Sequence, residues 1–317
     1  MTDRSDVIEQ ILSVKSRLRP FHLRYEMGSR ISTIRMSLKE SKGLHTELLR
    51  HYPVALVATI ESYFRIATSN LVDAGTPWLD NAANLIGKER IKFETIKSFQ
   101  GKLITIGDYV SATISISNLA SLNNIMSTIL NRDFLKVLAT VYDRWAAQGM
   151  TTQPPPIIAN ADATYECVEK TFQLRHILCH EFASLEKITR EEIEQAVHHV
   201  DQFLRASEQL VADTIFPNAP LNQMEMNLYT FKQAEESKAK LHELEKQLLD
   251  VLDDKKKAHY QKIQGIWDTL RSESVAFVGN QYVGGSIRPM KHNLESKNLT
   301  DERISQVQRP YEEFKPH

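Results

Sequence analysis

The chain has 317 residues, of which 42% are hydrophobic and 25% are charged, and its formal net charge is −1. This length allows roughly two domains, and the even balance of charge excludes a bulk electrostatic attraction to nucleic acid. No uninterrupted apolar run reaches the roughly 18 to 20 residues that a membrane-spanning helix needs, so we expect a soluble protein without a membrane partner.

Two further features predict a cytoplasmic location. The N-terminal segment MTDRSDVIEQ lacks the basic and then apolar layout of a secretion signal. Cys167 and Cys179 are the only cysteines, which excludes a disulfide framework and a four-cysteine zinc site.

Nearly every apolar pattern along the chain has the helical period. Residues 52–75 predict a core helix that is apolar on most sides and ends before Gly75. Tyr63 and Phe64 are predicted to be packing residues within it. Glu61, in the same helix, is predicted either to pair with an arginine or to orient a functional group, since a buried carboxylate must find a partner.

The apolar patterns of the next two predicted helices are less regular. Residues 108–130 favour a helix, although the alternation of Ile114 and Ile116 also fits a strand. Residues 133–147 predict another helix, with Leu135, Leu138 and Trp145 facing inward. Three consecutive prolines then break the chain within residues 149–162.

Asp162 is the predicted N-cap of the following helix, which carries the sequence RHILCH. Thr189 and Glu192 predict a capping box for a long helix through Phe216. Prolines at 217 and 220 then predict a domain boundary, with one domain at 1–218 and a second at 219–317.

The second domain begins with an amphipathic pattern over about residues 225–262, with a turn expected at 253–257. Its narrow apolar seam predicts one arm of a small antiparallel bundle and consists of Leu241, Leu244, Leu248 and Val251. The predicted fold class is therefore all-α, with a helical bundle followed by a small antiparallel helical domain.

The run RHILCH at positions 175–180 carries the most informative chemistry. A guanidinium such as that of Arg175 binds phosphate oxygens, and an imidazole such as that of His180 transfers protons near neutral pH. Residues five apart on a straight helix point about 140° away from each other. Either the helix is distorted, or Arg175 lies at its end, or each residue meets a counterpart from a second subunit.

Two other interpretations of these residues stay open. Arg175 and His180 would have a purely structural role as a surface ion-pair arginine and a core histidine. His176, Cys179 and His180 share one helix face and would suit zinc, with a fourth ligand available only from the neighbouring helix that carries His198 and His199. We expect no metal and no cofactor.

The N-terminal two-thirds, about residues 1–216, resembles a HEPN domain, whose ribonuclease members carry Arg, four to six residues, and then His. Here that pattern is Arg175, four residues, and His180, with the polar His176 after the arginine. Many toxins of the family have a tyrosine two positions after the histidine, where this chain has Phe182. The resemblance implies metal-independent RNA cleavage in a cleft built by two protomers.

The C-terminal third, about residues 224–312, resembles the lysozyme-inhibitor LprI-type domain. The matching residues are Trp267, Arg271, Gly284, Gly285, Ser286, Leu299, Thr300 and Arg303. The cysteines usual in that exported family are replaced at Val275 and near Leu294, which removes the disulfide and argues against lysozyme inhibition. We expect a helical module that senses, binds a partner or holds a dimer, with a tight turn at Gly284 and Gly285.

The sequence thus predicts a homodimeric endoribonuclease of the toxin or anti-phage defence kind, acting on RNA. Arg175 and His180 are the predicted catalytic pair, and His176 and Glu61 are predicted to support them or to bind substrate. An antitoxin or sensor partner would bind through the C-terminal domain. The alternative is a non-catalytic HEPN scaffold that binds nucleotide or protein.

Overall fold

The computed structural model of the chain describes residues 4–17, 23–41, 46–86, 104–182 and 187–315. Within these ranges the regular secondary structure is helical, apart from one isolated bridge between Tyr142 and Pro156. The predicted all-α class is therefore confirmed. None of the described helices combines the length and the apolar character that crossing a bilayer requires.

The chain divides into two compact units, 1–217 and 218–317. The first unit has a 3₁₀ turn at Thr46–Arg50 and contains the helices α1 (Arg4–Lys15), α2 (Leu23–Glu40), α3 (His51–Asp73), α4 (Trp78–Ile86), α5 (Ile106–Thr113), α6 (Leu119–Leu130), α7 (Phe134–Leu138), α8 (Ala161–His180) and α9 (Arg190–Ile215). The second contains α10 (Gln223–Val251), α11 (Asp254–Asn280) and α12 (Arg288–Phe314).

Helix α3 forms the middle of the first unit and packs against α2, α4, α5, α6, α8 and α9. It is the predicted core helix, and both Tyr63 and Phe64 are 1% exposed. The Phe64 ring lies 5.8 Å from the Phe134 ring and 5.7 Å from the Phe203 ring, between centroids. Tyr165 of α8 also packs against Phe203, at 6.3 Å. This aromatic cluster ties α3, α7, α8 and α9 together.

Helix α5 meets α3 at Gly107 in a contact that leaves no room for a side chain. A Cβ atom there would lie 2.3 Å from the carbonyl oxygen of Ser69 and 2.7 Å from Cγ of Asp73. The Gly107 N–H donates to Asp73 Oδ1 at 2.9 Å, and the Thr105 hydroxyl donates to Oδ2 at 2.6 Å. The contact therefore depends on glycine for close approach of the two helices.

Asp108 in the first turn of α5 links this helix to α1. Its carboxylate accepts a hydrogen bond from the Thr105 N–H at 2.9 Å and lies 2.5 Å from Lys15 Nζ. Burial by itself would raise the pKa of Asp108. The hydrogen bonds from Lys15 and Thr105 and the charge of Lys15 outweigh burial, and the pKa is lowered below its ordinary value.

The prediction of one helix over residues 108–130 is wrong in its middle. Helix α5 ends at Thr113, and α6 begins at Leu119 after an extended segment. Asn118 caps α6, since its side chain accepts from the Ser121 N–H while the Ser121 hydroxyl accepts from the Asn118 N–H. This capping box outcompetes continuation of the helix.

The helix predicted over residues 133–147 is also largely wrong. Only Phe134–Leu138 is helical, and Trp145 is 51% exposed instead of facing inward. After α7 the chain pairs with the proline segment, where the Ile157 N–H donates to the Val141 carbonyl at 2.8 Å. Long-range pairing thus overrides the local helical period.

Of the N-cap predictions for α8 and α9, the first is wrong and the second is confirmed. The N-cap of α8 is Asn160, whose side chain accepts from the Ala163 N–H, so the prediction of Asp162 is wrong. The capping box of Thr189 and Glu192 is confirmed at the start of α9.

The second unit is a three-helix arrangement that runs up, down and up. Asn227 bonds to Ser286 and Ser237 bonds to Asp301, so α10 and α12 are parallel. Arg288 bonds to Asn280 and Arg303 bonds to Gln264, which places α11 antiparallel to α12. The apolar seam of α10 is buried as predicted at Leu241, Leu244 and Leu248.

The turn expected at residues 253–257 lies slightly earlier, between Val251 and Asp254, and residues 254–257 already belong to α11. Helix α10 stops at Val251, and Asp253 caps α11 by accepting from the Lys256 N–H at 2.9 Å. The predicted glycine turn is confirmed, since Gly284 has φ +80° between α11 and α12.

Three residues behind the LprI-type resemblance meet at one place. The Arg303 guanidinium lies 5.6 Å from the centre of the Trp267 ring, and that of Arg271 lies 5.2 Å from it. Arg303 is 8% exposed and also donates to Gln264 Oε1. The Arg303 contact holds α12 against α11, whereas Arg271 lies one turn after Trp267 on α11 itself, so the matching residues have a packing role.

Candidate functional site

Helix α8 carries the Arg175 and His180 pair and is held firmly by its neighbours. It packs against α3 and α9. Its inward face is a row of small and β-branched residues at helical spacing, Thr164, Val168 and Thr171, which are at most 2% exposed. The helix ends at His180, where the backbone of Glu181 turns to an extended conformation. The motif therefore lies on the last turns of an anchored helix.

Arg175 continues the inward row and emerges beside α3. One of its guanidinium nitrogens lies 3.5 Å from Oε1 of Glu61. The side chains are 33% and 26% exposed, respectively, so solvent reaches the pair. Glu61 therefore pairs with an arginine, as one of its two predicted roles required, and this arginine is the one in the motif.

The two motif histidines lie together on another face of the same helix. The ring centroids of His176 and His180 are 4.9 Å apart, with the planes tilted by 50°. Both side chains are exposed. His180 is consequently not the buried core histidine that a purely structural role required. Two neighbouring imidazoles at a helix end can act as one base and one acid.

Helix geometry separates the guanidinium from the imidazole of His180 within one chain. Arg175 and His180 are five residues apart on the regular helix α8, which directs them about 140° away from each other. The helix is regular at the motif, and it ends at His180, five residues after Arg175. Of the three explanations predicted from the sequence, a distorted helix and an arginine at the helix end are therefore excluded, and the second subunit remains.

Two residues that the sequence analysis missed extend the histidine face. Glu169 and Gln173 precede His176 and His180 at helical spacing, and the four residues form one polar row on α8. Glu169 Oε2 accepts from the Leu119 N–H at the start of α6 at 3.1 Å, and Gln173 donates to Glu169 Oε1 at 3.3 Å. The helical spacing of positions 169, 173, 176 and 180 is the signal in the sequence that indicates this polar row.

A separate histidine lies between α8 and α9. His199 Nδ1 lies 2.9 Å from the Thr164 hydroxyl, and its ring is 5.3 Å from that of His198. Burial, and then the charge of His198, lower the pKa of His199. The neutral ring that results suits its hydrogen bond, which fixes α9 against α8.

The zinc interpretation finds no supporting geometry. Across the part of the chain that the structure describes, no three His, Cys, Asp or Glu side chains converge in a way that would hold an ion. Cys179 is exposed beside the histidines but does not complete a ligand set.

The first unit also has a shallow depression of about 460 Å³. It is lined by Trp78, Leu130, Arg132, Leu210, Asp213 and Thr214. None of the four predicted site residues borders it, so this depression is separate from the candidate site.

Comparisons of the chain with protein-family models, with curated proteins and with solved structures found no match. The HEPN and LprI-type resemblances therefore rest on the motif residues and their spacing.

Proposed function

We propose that the chain is a metal-independent endoribonuclease of the HEPN type, with Arg175 and His180 as catalytic residues. The observation that carries the proposal is the arrangement at the end of α8. There an exposed pair of imidazoles lies 4.9 Å apart, and the motif guanidinium is held by Glu61. These are the groups that cleavage of a phosphodiester by the neighbouring 2′-hydroxyl requires.

In the proposed reaction His180 accepts the proton of a ribose 2′-hydroxyl. The 2′-oxygen attacks the adjacent phosphorus while the bond from phosphorus to the 5′-oxygen breaks. His176 donates a proton to that departing oxygen, and the guanidinium of Arg175 offsets charge on the phosphoryl oxygens. The products are a 2′,3′-cyclic phosphate and a 5′-hydroxyl, and no cofactor takes part.

A second copy of the chain completes the proposed cleft. Within one protomer the guanidinium and the His180 imidazole lie on different faces of α8, so one phosphate cannot contact both in a compact arrangement. Two α8 ends brought together would present an arginine from one protomer beside a histidine from the other. Glu61 is the proposed positioning residue for Arg175.

The alternative is a non-catalytic scaffold of the same fold that binds nucleotide or protein. One observation favours it: Arg175 extends the buried row of α8 and is already neutralised by Glu61 at 3.5 Å. Under this alternative, Arg175 anchors the end of α8 through Glu61 and takes no part in catalysis. If the chain is the enzyme, replacement of His180 or Arg175 abolishes RNA cleavage and leaves stability unchanged. If it is the scaffold, the wild-type chain does not cleave RNA.

In cells we propose a toxin or anti-phage role in the cytoplasm, with an antitoxin or sensor bound through the second unit. Expression of the wild-type chain should then arrest growth, and expression of the His180→Ala chain should not. Equal growth with both chains would contradict the cellular role.

The enzymatic proposal is tested with purified wild-type, Arg175→Ala and His180→Ala chains, incubated with total RNA in EDTA. His180→Ala should lose about 100- to 10,000-fold in cleavage rate, the usual effect of removing a proton-transfer group. Arg175→Ala should lose about 100- to 1,000-fold, the usual effect of removing a group that stabilises developing charge. Both variants should keep the circular dichroism spectrum of the wild type. His198→Ala and Arg205→Ala are matched controls, since they remove an exposed histidine and a partly exposed paired arginine elsewhere in the unit. Cleavage by either catalytic variant at the wild-type rate would refute the assignment.

A further inference from the structure

Helix α11 has an apolar stripe that faces solvent. It consists of Ile263, Ile266, Leu270 and Phe277, which are 41%, 64%, 60% and 70% exposed, respectively. Single exposed apolar residues are common, but four large ones aligned along one helix mark an interaction surface. We name these four residues the α11 stripe.

The stripe is separate from the packing face of its own unit. Helix α11 meets α12 through a different row of residues: Gln264 and Trp267 both contact Arg303 of α12, and the buried Val275 continues the same row. At 100° per residue the two rows are centred roughly 120° apart around the helix. The stripe therefore contributes nothing to the contact with α12, and its apolar character is unexplained by the fold of the second unit.

The spacing of the stripe suits another helix. Its first three members follow the alternation of three and four residues of a heptad seam, and Phe277 lies one heptad after Leu270. The seam position between Leu270 and Phe277 is occupied by Glu273. A carboxylate in such a seam is tolerated when the facing helix supplies a cation beside it.

A second copy of α11, antiparallel to the first, supplies that cation. With a twofold axis at Asp268, Ile266 of one helix faces Leu270 of the other, and Glu273 faces Ile263 with Lys262 beside it. Lys262 and Glu273 are both exposed, and neither has a salt-bridge partner among the described residues. The same surface on both copies is then complementary to itself, as a twofold dimer requires.

We propose that the α11 stripe is a homodimer interface in which two antiparallel α11 helices pair, with Lys262 of each copy against Glu273 of the other. This deepens the proposed function and rests on it for its purpose, because a cleft made by two protomers needs a surface that holds them together. Association and cleavage are nevertheless separate measurements.

The test is sedimentation equilibrium of the full chain at about 10 to 100 μM, a range in which micromolar association is resolved. The wild type should have twice the mass of the 36.3 kDa chain. Leu270→Glu should weaken the dimer at least about tenfold, because it places a carboxylate in the apolar seam. Met36→Glu, at an apolar position on α2 that is 57% exposed, is the matched control and should leave the dimer unchanged.

Charge exchange tests the proposed register. Lys262→Glu alone and Glu273→Lys alone should each weaken self-association, because like charges then face each other twice. A mixture of the two variants should recover the wild-type dimer, since every facing pair is again opposite in charge.

A monomeric wild type would overturn the proposal. A wild-type dimer insensitive to Leu270→Glu and to both charge reversals would overturn it as well. Dimer formation through the stripe without RNA cleavage would refute only the ribonuclease proposal.

Discussion

Replacement of Gly107 by alanine should destabilise the first unit strongly. The new Cβ would lie 2.3 Å from the Ser69 carbonyl oxygen, and backbone of α3 cannot move aside as the end of a flexible side chain could. Overpacking of this kind costs about 1 to 3 kcal/mol, and displacement of α5 would also weaken the hydrogen bond from the Gly107 N–H to Asp73. We therefore expect a loss of about 3 kcal/mol.

Calorimetry of the full chain measures this effect. Unfolding enthalpy scales with size, so the larger transition belongs to the first unit, and about 3 kcal/mol should lower its Tm by roughly 6 to 12 °C. Gly28→Ala is the control: Gly28 lies within α2 and a Cβ there has no atom within 4 Å, so alanine should stabilise by about 0.5 to 1 kcal/mol. A Gly107→Ala chain that melts within about 1 °C of wild type would refute the close-contact argument.

Three further predictions concern electrostatics and the site. The folded-state pKa of Asp108 is lowered below 3.8, so its contribution to stability should be present above that pH and lost as the pH falls below it; urea unfolding of wild type and Asp108→Asn should differ near neutral pH and converge in acid. Glu61→Gln should reduce the rate of RNA cleavage by about 10- to 100-fold, because Arg175 is then misplaced, yet it should change the free energy of unfolding by less than about 1 kcal/mol. A loss of stability large enough to account for the lost cleavage would favour the anchoring role. Mixed dimers of wild type with an Arg175→Ala, His180→Ala double variant should fall well below half the wild-type cleavage rate, whereas activity proportional to the wild-type fraction would mean independent sites.

The sequence predicts the long helices well because their signals are local. Helix α3 has an uninterrupted apolar period, and the start of α9 has the capping box of Thr189 and Glu192. The turn between α11 and α12 follows from Gly284, whose φ of +80° other residues rarely adopt. Such features depend on a few neighbouring residues and need no knowledge of distant contacts.

The secondary-structure predictions are wrong where contacts with distant parts of the chain determine the local conformation. Residues 139–147 leave the helical conformation although their composition allows it, because the chain near Val141 pairs with the segment at Ile157. Ile114 and Ile116 are 8% and 5% exposed, so their alternation reflects burial of an extended segment between two helices. Neither outcome follows from local propensity.

For the site, the sequence supplies the residue types and their angular separation on α8. It predicts an arginine partner for Glu61, one of its two expected roles, but does not identify Arg175 as that partner. The pairing arises because α3 and α8 pack side by side, although Glu61 and Arg175 are 114 positions apart in the chain. The polar row at Glu169 and Gln173 was visible as spacing, yet its purpose depends on the start of α6, where Glu169 binds.

The most direct test of the central claim is the chemistry of the RNA ends after incubation of the wild-type chain with RNA in EDTA. Attack by the 2′-hydroxyl predicts fragments with a 2′,3′-cyclic phosphate and a 5′-hydroxyl, and no cleavage at a linkage whose attacking ribose is replaced by 2′-deoxyribose. These products should disappear with His180→Ala and persist with His198→Ala. Intact RNA under these conditions, or fragments that carry a 5′-phosphate, would contradict the proposed mechanism.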